Sequence, residues 1–141
     1  MNTNKRLLGF DFGMKRIGVA IGQTVSMNAS ALKTLNAKDG VPNWDELSDL
    51  IKEWQPDALI VGLPLNMDGS NQRITFSAKK FAKKLRSRFQ LVVHEEDERL
   101  STIEARALLF EEGGYRSLQK GNIDSMAAVV IIEQWLMSHC T

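Results

Sequence analysis

Cysteine is almost missing from this chain of 141 residues: Cys140, one place from the end, is the only one. That excludes an intrachain disulfide and a cysteine-built metal cluster, fits a reducing cytosol, and argues against a catalytic thiol. Histidine is nearly as scarce, and His94 and His139 lack metal-ligand spacing, so both read as structural or exposed. With three prolines and no Pro/Ser-rich tract, low-complexity segment or internal repeat, the chain reads as one domain over residues 1–141. Charge of either sign is balanced, 18 basic against 17 acidic residues, so total charge points to no polyanionic partner and local clusters must carry any such argument. No apolar run approaches the ~18 residues of a membrane span, and the opening "MNTNKR" is no secretory signal. The expectation is a cytoplasmic protein without a membrane partner.

What is present is strongly patterned. Residues 6–12 carry Leu7, Leu8, Phe10 and Phe12 without polar alternation and read as a strand buried on both faces. The turn "GMKR" leads into "IGVAIGQ", giving a hairpin, and "ASALKTL" reads as a third strand. "NWDELSDLIKEW" has helical spacing with Asn43 as N-cap, and Pro56 closes it. "DALIVGLP" is a strand, followed by the loop "LNMDGSNQ". "FSAKKFAKKLRSRF" is a helix with Phe81, Ala82 and Leu85 inward, and "LVVHEEDER" is a strand running into acids. "STIEARALLFEEGG" opens on a capping box, Ser101 with Glu104, and stops at two glycines. "NIDSMAAVVIIEQWLM" is a last helix with Ile123, Met126, Ala127, Val130 and Ile131 on one face. Five strands and four helices in this order predict an α/β mixed sheet flanked by helices, with the Asp11 strand at its centre.

Three acids sit at the ends of these elements: Asp11 in the first strand, Glu98 with Asp97 beside it after the last strand, and Asp124 in the first turn of the last helix. Carboxylates converging from separate segments are the hard oxygen ligands that Mg²⁺ or Mn²⁺ requires, and two such ions support phosphodiester hydrolysis. A cation would also neutralise Asp11, whose burial in an apolar strand is otherwise costly. Each acid has a plainer reading. Asp11 could pair with Lys15, Arg16 or Arg99; Asp124 could favour the positive end of its helix; Glu98 could belong to a solvated charge run. Their convergence favours a metal centre.

Basic residues form two groups. Lys79, Lys80, Lys83, Lys84, Arg86 and Arg88 load the outer face of one helix, which is either simply solvated or a nucleic-acid contact. Arg116 and Lys120 load the loop before Asp124, where Tyr115 could stack on a base. "VGLPLNMDGS", with Asn66, would wall a cleft. Trp44 and Trp54 fit helix packing.

"DFGMKRIGVAIG", "VGLPLNMDGS", "DERLST" and "GGYRSLQKGNIDSMAAVVII" together resemble the YqgF-type, Holliday-junction-resolvase-like proteins of bacteria, over roughly residues 6–137. That resemblance implies an RNase H-like fold with a five-stranded mixed sheet, and a nuclease that processes the 5′ end of pre-16S ribosomal RNA. It further implies the acidic set Asp11, Glu98 and Asp124 as catalytic and Mg²⁺- or Mn²⁺-binding. The substrate contacts expected are Lys15, Arg16, Asn66, Arg99, Tyr115, Arg116 and Lys120. The partner would be pre-rRNA or the small-subunit precursor, or else branched DNA, and the chain would be a monomer or weak homodimer. Two departures stand out. Met14 replaces the usual threonine, and "IVGLP" lacks the acid that related resolvases carry on that strand, so the acid must come from "DER".

Two rival readings remain. "DFG" turning into "IGVAIG" is similar to the first phosphate loop of sugar kinases and actin-like ATPases, which clamp nucleotide between two domains. The other rival is an RNase H-like module that binds ribosomal RNA or a transcription factor without cutting.

Overall fold

The computed structural model describes residues 4–98, 101–114 and 120–139. Three strands open the chain, β1 (Arg6–Asp11), β2 (Arg16–Gln23) and β3 (Asn28–Lys38), each antiparallel to the one before. A two-residue strand β4 (Val41–Pro42) folds back on the end of β3. Helix α1 (Trp44–Trp54), strand β5 (Ala58–Leu63), helix α2 (Arg73–Phe89) and strand β6 (Val92–Asp97) follow, and then helices α3 (Ser101–Gly113) and α4 (Lys120–His139). The sheet order is β4-β3-β2-β1-β5-β6, with β5 parallel to both β1 and β6. An α/β mixed sheet with β1 inside it and four helices is therefore as expected.

The strand count is six rather than five. The additional strand is the short β4, and its turn is made by Asp39 and Gly40, both at positive φ (53° and 80°). An Asp-Gly pair is the residue choice that such a tight reversal favours. Pro42 is tolerated because β4 is an edge strand, where a missing N–H costs little.

Two apolar layers cover the sheet. On one face Leu8, Phe10, Val19, Leu59 and Val61 pack with Leu47 of α1 and Phe81 and Leu85 of α2. On the other, Leu7, Ala20, Ala58 and Ile60 pack beneath Ala128, Ile131, Ile132 and Leu136 of α4. Alternate residues of β1 enter opposite layers, which is why that strand reads as continuously apolar. Helix α4 lies between the sheet and α3. Val129 is buried along with Ala127, Val130 and Ile131, so α4 is covered on more than the single face expected of it.

Asn43 caps α1 through its Oδ1, which accepts from the backbone N–H of Asp45 and Glu46 at 3.0 and 3.2 Å. Helix α2 begins three residues earlier than its apolar pattern indicates. Thr75, fully buried, accepts the N–H of Gln72 at 2.9 Å and donates its hydroxyl to the Pro64 carbonyl. That bond fastens the start of α2 to the chain leaving β5.

Candidate functional site

Asp11 is the last residue of β1, and the sheet register sets a glycine on each side of it: Gly18 of β2 and Gly62 of β5. Both glycines are spaces that other parts of the site fill. A Cβ on Gly18 would lie 1.9 Å from the Asp124 carbonyl oxygen, so the first part of α4 rests directly on the β2 backbone. A Cβ on Gly62 would lie 2.7 Å from Cγ of Glu98, whose side chain crosses β5 at that point. The row Gly18–Asp11–Gly62 thus admits Asp124 from one side and Glu98 from the other.

The supporting contacts hold these approaches in place. The Glu98 N–H donates to the Leu63 carbonyl at 3.0 Å, extending the β5–β6 pairing by one residue. Glu98 is buried while Asp97 is exposed, as strand alternation requires of neighbours. At the other side, the Thr34 hydroxyl donates to the Gly121 carbonyl at 2.6 Å, tying the start of α4 to β3. The described part of α4 starts at Lys120, which places Asp124 beyond the first helical turn rather than within it. The explanation of Asp124 as a helix-end charge weakens accordingly, since that effect fades after the first turn.

The electrostatics follow from this crowding. The Asp11 carboxyl is held well above the ordinary carboxylate range, first by burial and then by the charges of Glu98 and Asp124, with a hydrogen bond to Glu98 acting the same way. Two carboxyls can share a hydrogen bond only if one is protonated. Without a cation Asp11 therefore holds its proton to higher pH than an ordinary carboxyl does. Asp124 is turned to a different partner, Arg16, whose Nε donates to Oδ2 at 2.9 Å between half-buried side chains. Arg16 thus pairs with Asp124, not with Asp11.

Among the described residues no three His, Cys, Asp or Glu side chains stand as a ready metal-ligating group. The donor chemistry nevertheless fits a hard divalent cation. Mg²⁺ is commonly held through one or two carboxylates with water completing its shell, and the Asp11–Glu98 pair offers that arrangement with Asp124 in electrostatic reach.

The remaining expected contacts divide three ways. Lys15 is exposed in the turn after Asp11. Asn66 serves its own loop: its N–H and side-chain amide donate to the Ser70 carbonyl and hydroxyl at 2.9 and 3.0 Å. Arg99, Tyr115, Arg116 and the Lys120 side chain lie outside the described residues. His94 and His139 flank Trp135, with Trp135 and His139 stacked at 4.5 Å. Gly18 and Gly62 carry no chemistry of their own and were the positions sequence reasoning missed. The signal that finds them is register: they are the residues paired across from Asp11.

Comparisons with known proteins agree with this architecture. The family described as "RuvX: Holliday junction resolvase" matches residues 5–138. A protein of Proteus mirabilis named "Putative pre-16S rRNA nuclease" is 56% identical over 133 residues, covering 94% of this chain and 96% of its own length. A relative of the same name from Photobacterium profundum is 57% identical over 136 residues, with 96% of each chain covered. Among solved structures, Thermus thermophilus RuvC in complex with a Holliday junction substrate superposes with TM-score 0.58 at 12% identity, covering 97% of this chain and 98% of that one. The fowlpox virus resolvase with Holliday junction DNA gives 0.54 at 15% identity, covering 96% and 99%. At such identities the likeness establishes the fold, an RNase H-like one of the resolvase type.

Proposed function

Because the chain belongs to the RuvX family, we propose that it is a divalent-metal-dependent nuclease that cuts phosphodiester bonds in the precursor of 16S ribosomal RNA, at its 5′ end. The observation that carries this reading is the Asp11 carboxyl, set between Gly18 and Gly62 and raised in pKa first by burial and then by the charges of Glu98 and Asp124. Keeping like charges together in a buried place is unfavourable without a cation or a proton. A folded chain that spends two glycines to bring them together does so for a ligand.

In this reading Asp11 and Glu98 would hold the metal, and Asp124 would complete the set on leaving Arg16. When bound there, Mg²⁺ or Mn²⁺ would supply an activated water and charge stabilisation for a leaving oxygen. The protein's own part is positional. Asp11 is fixed by the strand pairs on both sides, Glu98 by its backbone bond to Leu63, and Asp124 by the anchoring of α4 to β3. Arg16, once off Asp124, is placed to meet a substrate phosphate, and exposed Lys15 stands next to it. Asn66, Arg99, Tyr115, Arg116 and Lys120 remain candidates for further substrate contacts. In this proposal the setting is ribosome maturation in the cytoplasm. Separately, among the described residues no helix is long and apolar enough to cross a membrane.

The relatives' name favours RNA, while the family description favours a second substrate, branched DNA. Digesting both substrates with Mg²⁺ or Mn²⁺ beside an Asp11→Asn control tests the reading. Metal-dependent cutting of the RNA that disappears in the control supports it. Cutting only the four-way DNA junction would move the substrate to DNA, and no cutting of either would favour a binding module.

A further inference from the structure

Helix α2 carries Arg73, four lysines, Arg86 and Arg88 and not one acid over its 17 residues. The whole chain is net +1, so everything outside α2 is net acidic. All seven cations are exposed. Arg86 meets Glu95 at a distance of 4.0 Å, and Arg88 lies 4.4 Å over the Trp44 ring. The other five have no acidic partner among the described residues. Phe76 stands among them, 60% exposed, with Arg73, Lys79, Lys80 and Lys83 as its helical neighbours at three, four or seven residues.

Next to this row lies a groove with the half-buried Trp44 and the buried Phe12 and Phe81 at its base and Lys80, Lys84 and a single acid, Asp39, along its sides. Phe12 directly follows Asp11 in the chain but packs into the core on the α1/α2 face of the sheet. The groove therefore begins near the acid centre and opens on the face opposite α4. Cations around an exposed ring, as they stand around Phe76, are the combination that single-stranded nucleic acids select, because phosphates meet the charges and an unpaired base stacks. A lipid surface would need apolar side chains across the outer face of α2, and Phe76 is the one there; the helix's remaining apolar residues face the core.

We propose that the outer face of α2 and the Trp44 groove form a second nucleic-acid surface, which holds the unpaired flank of an RNA while the acid centre acts elsewhere on it. From Arg73 to Arg88 the helix extends about 22 Å at 1.5 Å per residue, enough for several nucleotides. The identification of the polyanion as RNA rests on the nuclease reading above; the charge and the aromatic groove do not.

The test is binding without cleavage, in chelator, of a labelled unpaired RNA, the same sequence as a blunt RNA duplex, and anionic phosphatidylserine vesicles, each between 50 and 200 mM salt. The parent should prefer the unpaired strand. The triple variant Lys80→Gln, Lys83→Gln, Lys84→Gln should lose about tenfold or more in affinity at low salt, and its salt slope should fall by about 2, at roughly 0.7 per single-strand phosphate contact. Phe76→Ala should lose roughly tenfold at every salt with the slope unchanged, as loss of one stacked base does. Strand binding unchanged in the triple variant overturns the proposal. So does a loss shared equally by duplex or vesicles, or a parent that binds no RNA. Absence of cleavage with these binding results intact would instead count against the nuclease reading alone.

Discussion

The two faces of the sheet treat charge in opposite ways. Under α4, three acids are admitted one at a time, each through a gap or a tether: Asp11 between two glycines, Glu98 across Gly62, Asp124 against Gly18 and onto Arg16. On the α2 face seven cations lie in the open with little built around them. Buried like charges raise one another's cost of ionisation, whereas exposed charges are screened by water and salt and cost the fold almost nothing. The acid face is therefore where single changes should be costly, and the basic face is where binding should respond before stability does.

Asp11→Asn breaks the comparison most sharply. Cleavage should fall by about a thousandfold or more, as expected when a metal centre worth several kcal/mol of barrier is lost. Stability should move the other way. The folded protein binds the Asp11 proton more tightly than the unfolded chain does, so this group's contribution is fully present below the ordinary carboxylate range. It is lost as pH rises through the raised folded value. Melting followed against pH should show Asp11→Asn more stable than the parent at neutral pH, with the gap closing in acid. Mg²⁺ should raise the parent's midpoint and leave that of the variant unmoved. A variant that melts below its parent at neutral pH would mean that Asp11 is a structural partner.

The glycines test whether the acid face is as tightly specified as its contacts imply. Gly18→Ala drives a methyl group into the Asp124 peptide, backbone against backbone, where nothing can turn aside. It should cost about 3 kcal/mol, the upper end for overpacking, in a denaturant titration. Gly62→Ala meets side-chain atoms of Glu98 and Ile131, which can rotate. Its cost should be nearer 1 kcal/mol, with a disproportionate loss of metal-dependent cleavage as Glu98 is pushed off Asp11. Equal costs for the two would show that α4 yields as easily as a side chain does.

This is also where the sequence stopped being readable. The apolar run of β1, the N-cap at Asn43 and the inward set on α2 are local patterns, and each forms as its pattern implies. Strand alternation sets Asp97 and Glu98 on opposite faces without choosing between them, and the structure turns Glu98 inward. Gly18 and Gly62 matter only through the pairing of β1 with β2 and β5, which no single segment reveals. The partner of Arg16 is likewise 108 residues away. Strand β4 is a different case, because "KDGVP" holds the Asp-Gly turn signal in plain view beside a strand whose sequence pattern ends at Leu35 but whose pairing runs on to Lys38.

Arg16→Gln probes the one cation that belongs to the acid face. Its ion pair with Asp124 joins side chains 34% and 22% exposed, so water screens it, and its loss should cost about 0.5 kcal/mol. Asp124 would then be free to face the metal, and the Mg²⁺ concentration needed for half-maximal stabilisation should fall. An increase in that concentration would instead make the Arg16 contact part of the metal-competent arrangement.

The smallest effect is expected on the other face. Arg88 lies 4.4 Å over Trp44, whose ring in turn stacks on Phe81 at 5.9 Å and so connects the surface to the core. Arg88 is itself exposed, and a cation over an aromatic ring at such a site is worth about 0.5–1 kcal/mol. Arg88→Gln keeps the length of the side chain and removes the charge, so thermal unfolding should shift by no more than about 2–4 °C for a domain of this size. The same variant should bind unpaired RNA more weakly while its Mg²⁺ response stays that of the parent. A stability loss as large as that of Gly18→Ala would dissolve the contrast between the faces, because Trp44 would then depend on Arg88 for its place in the core.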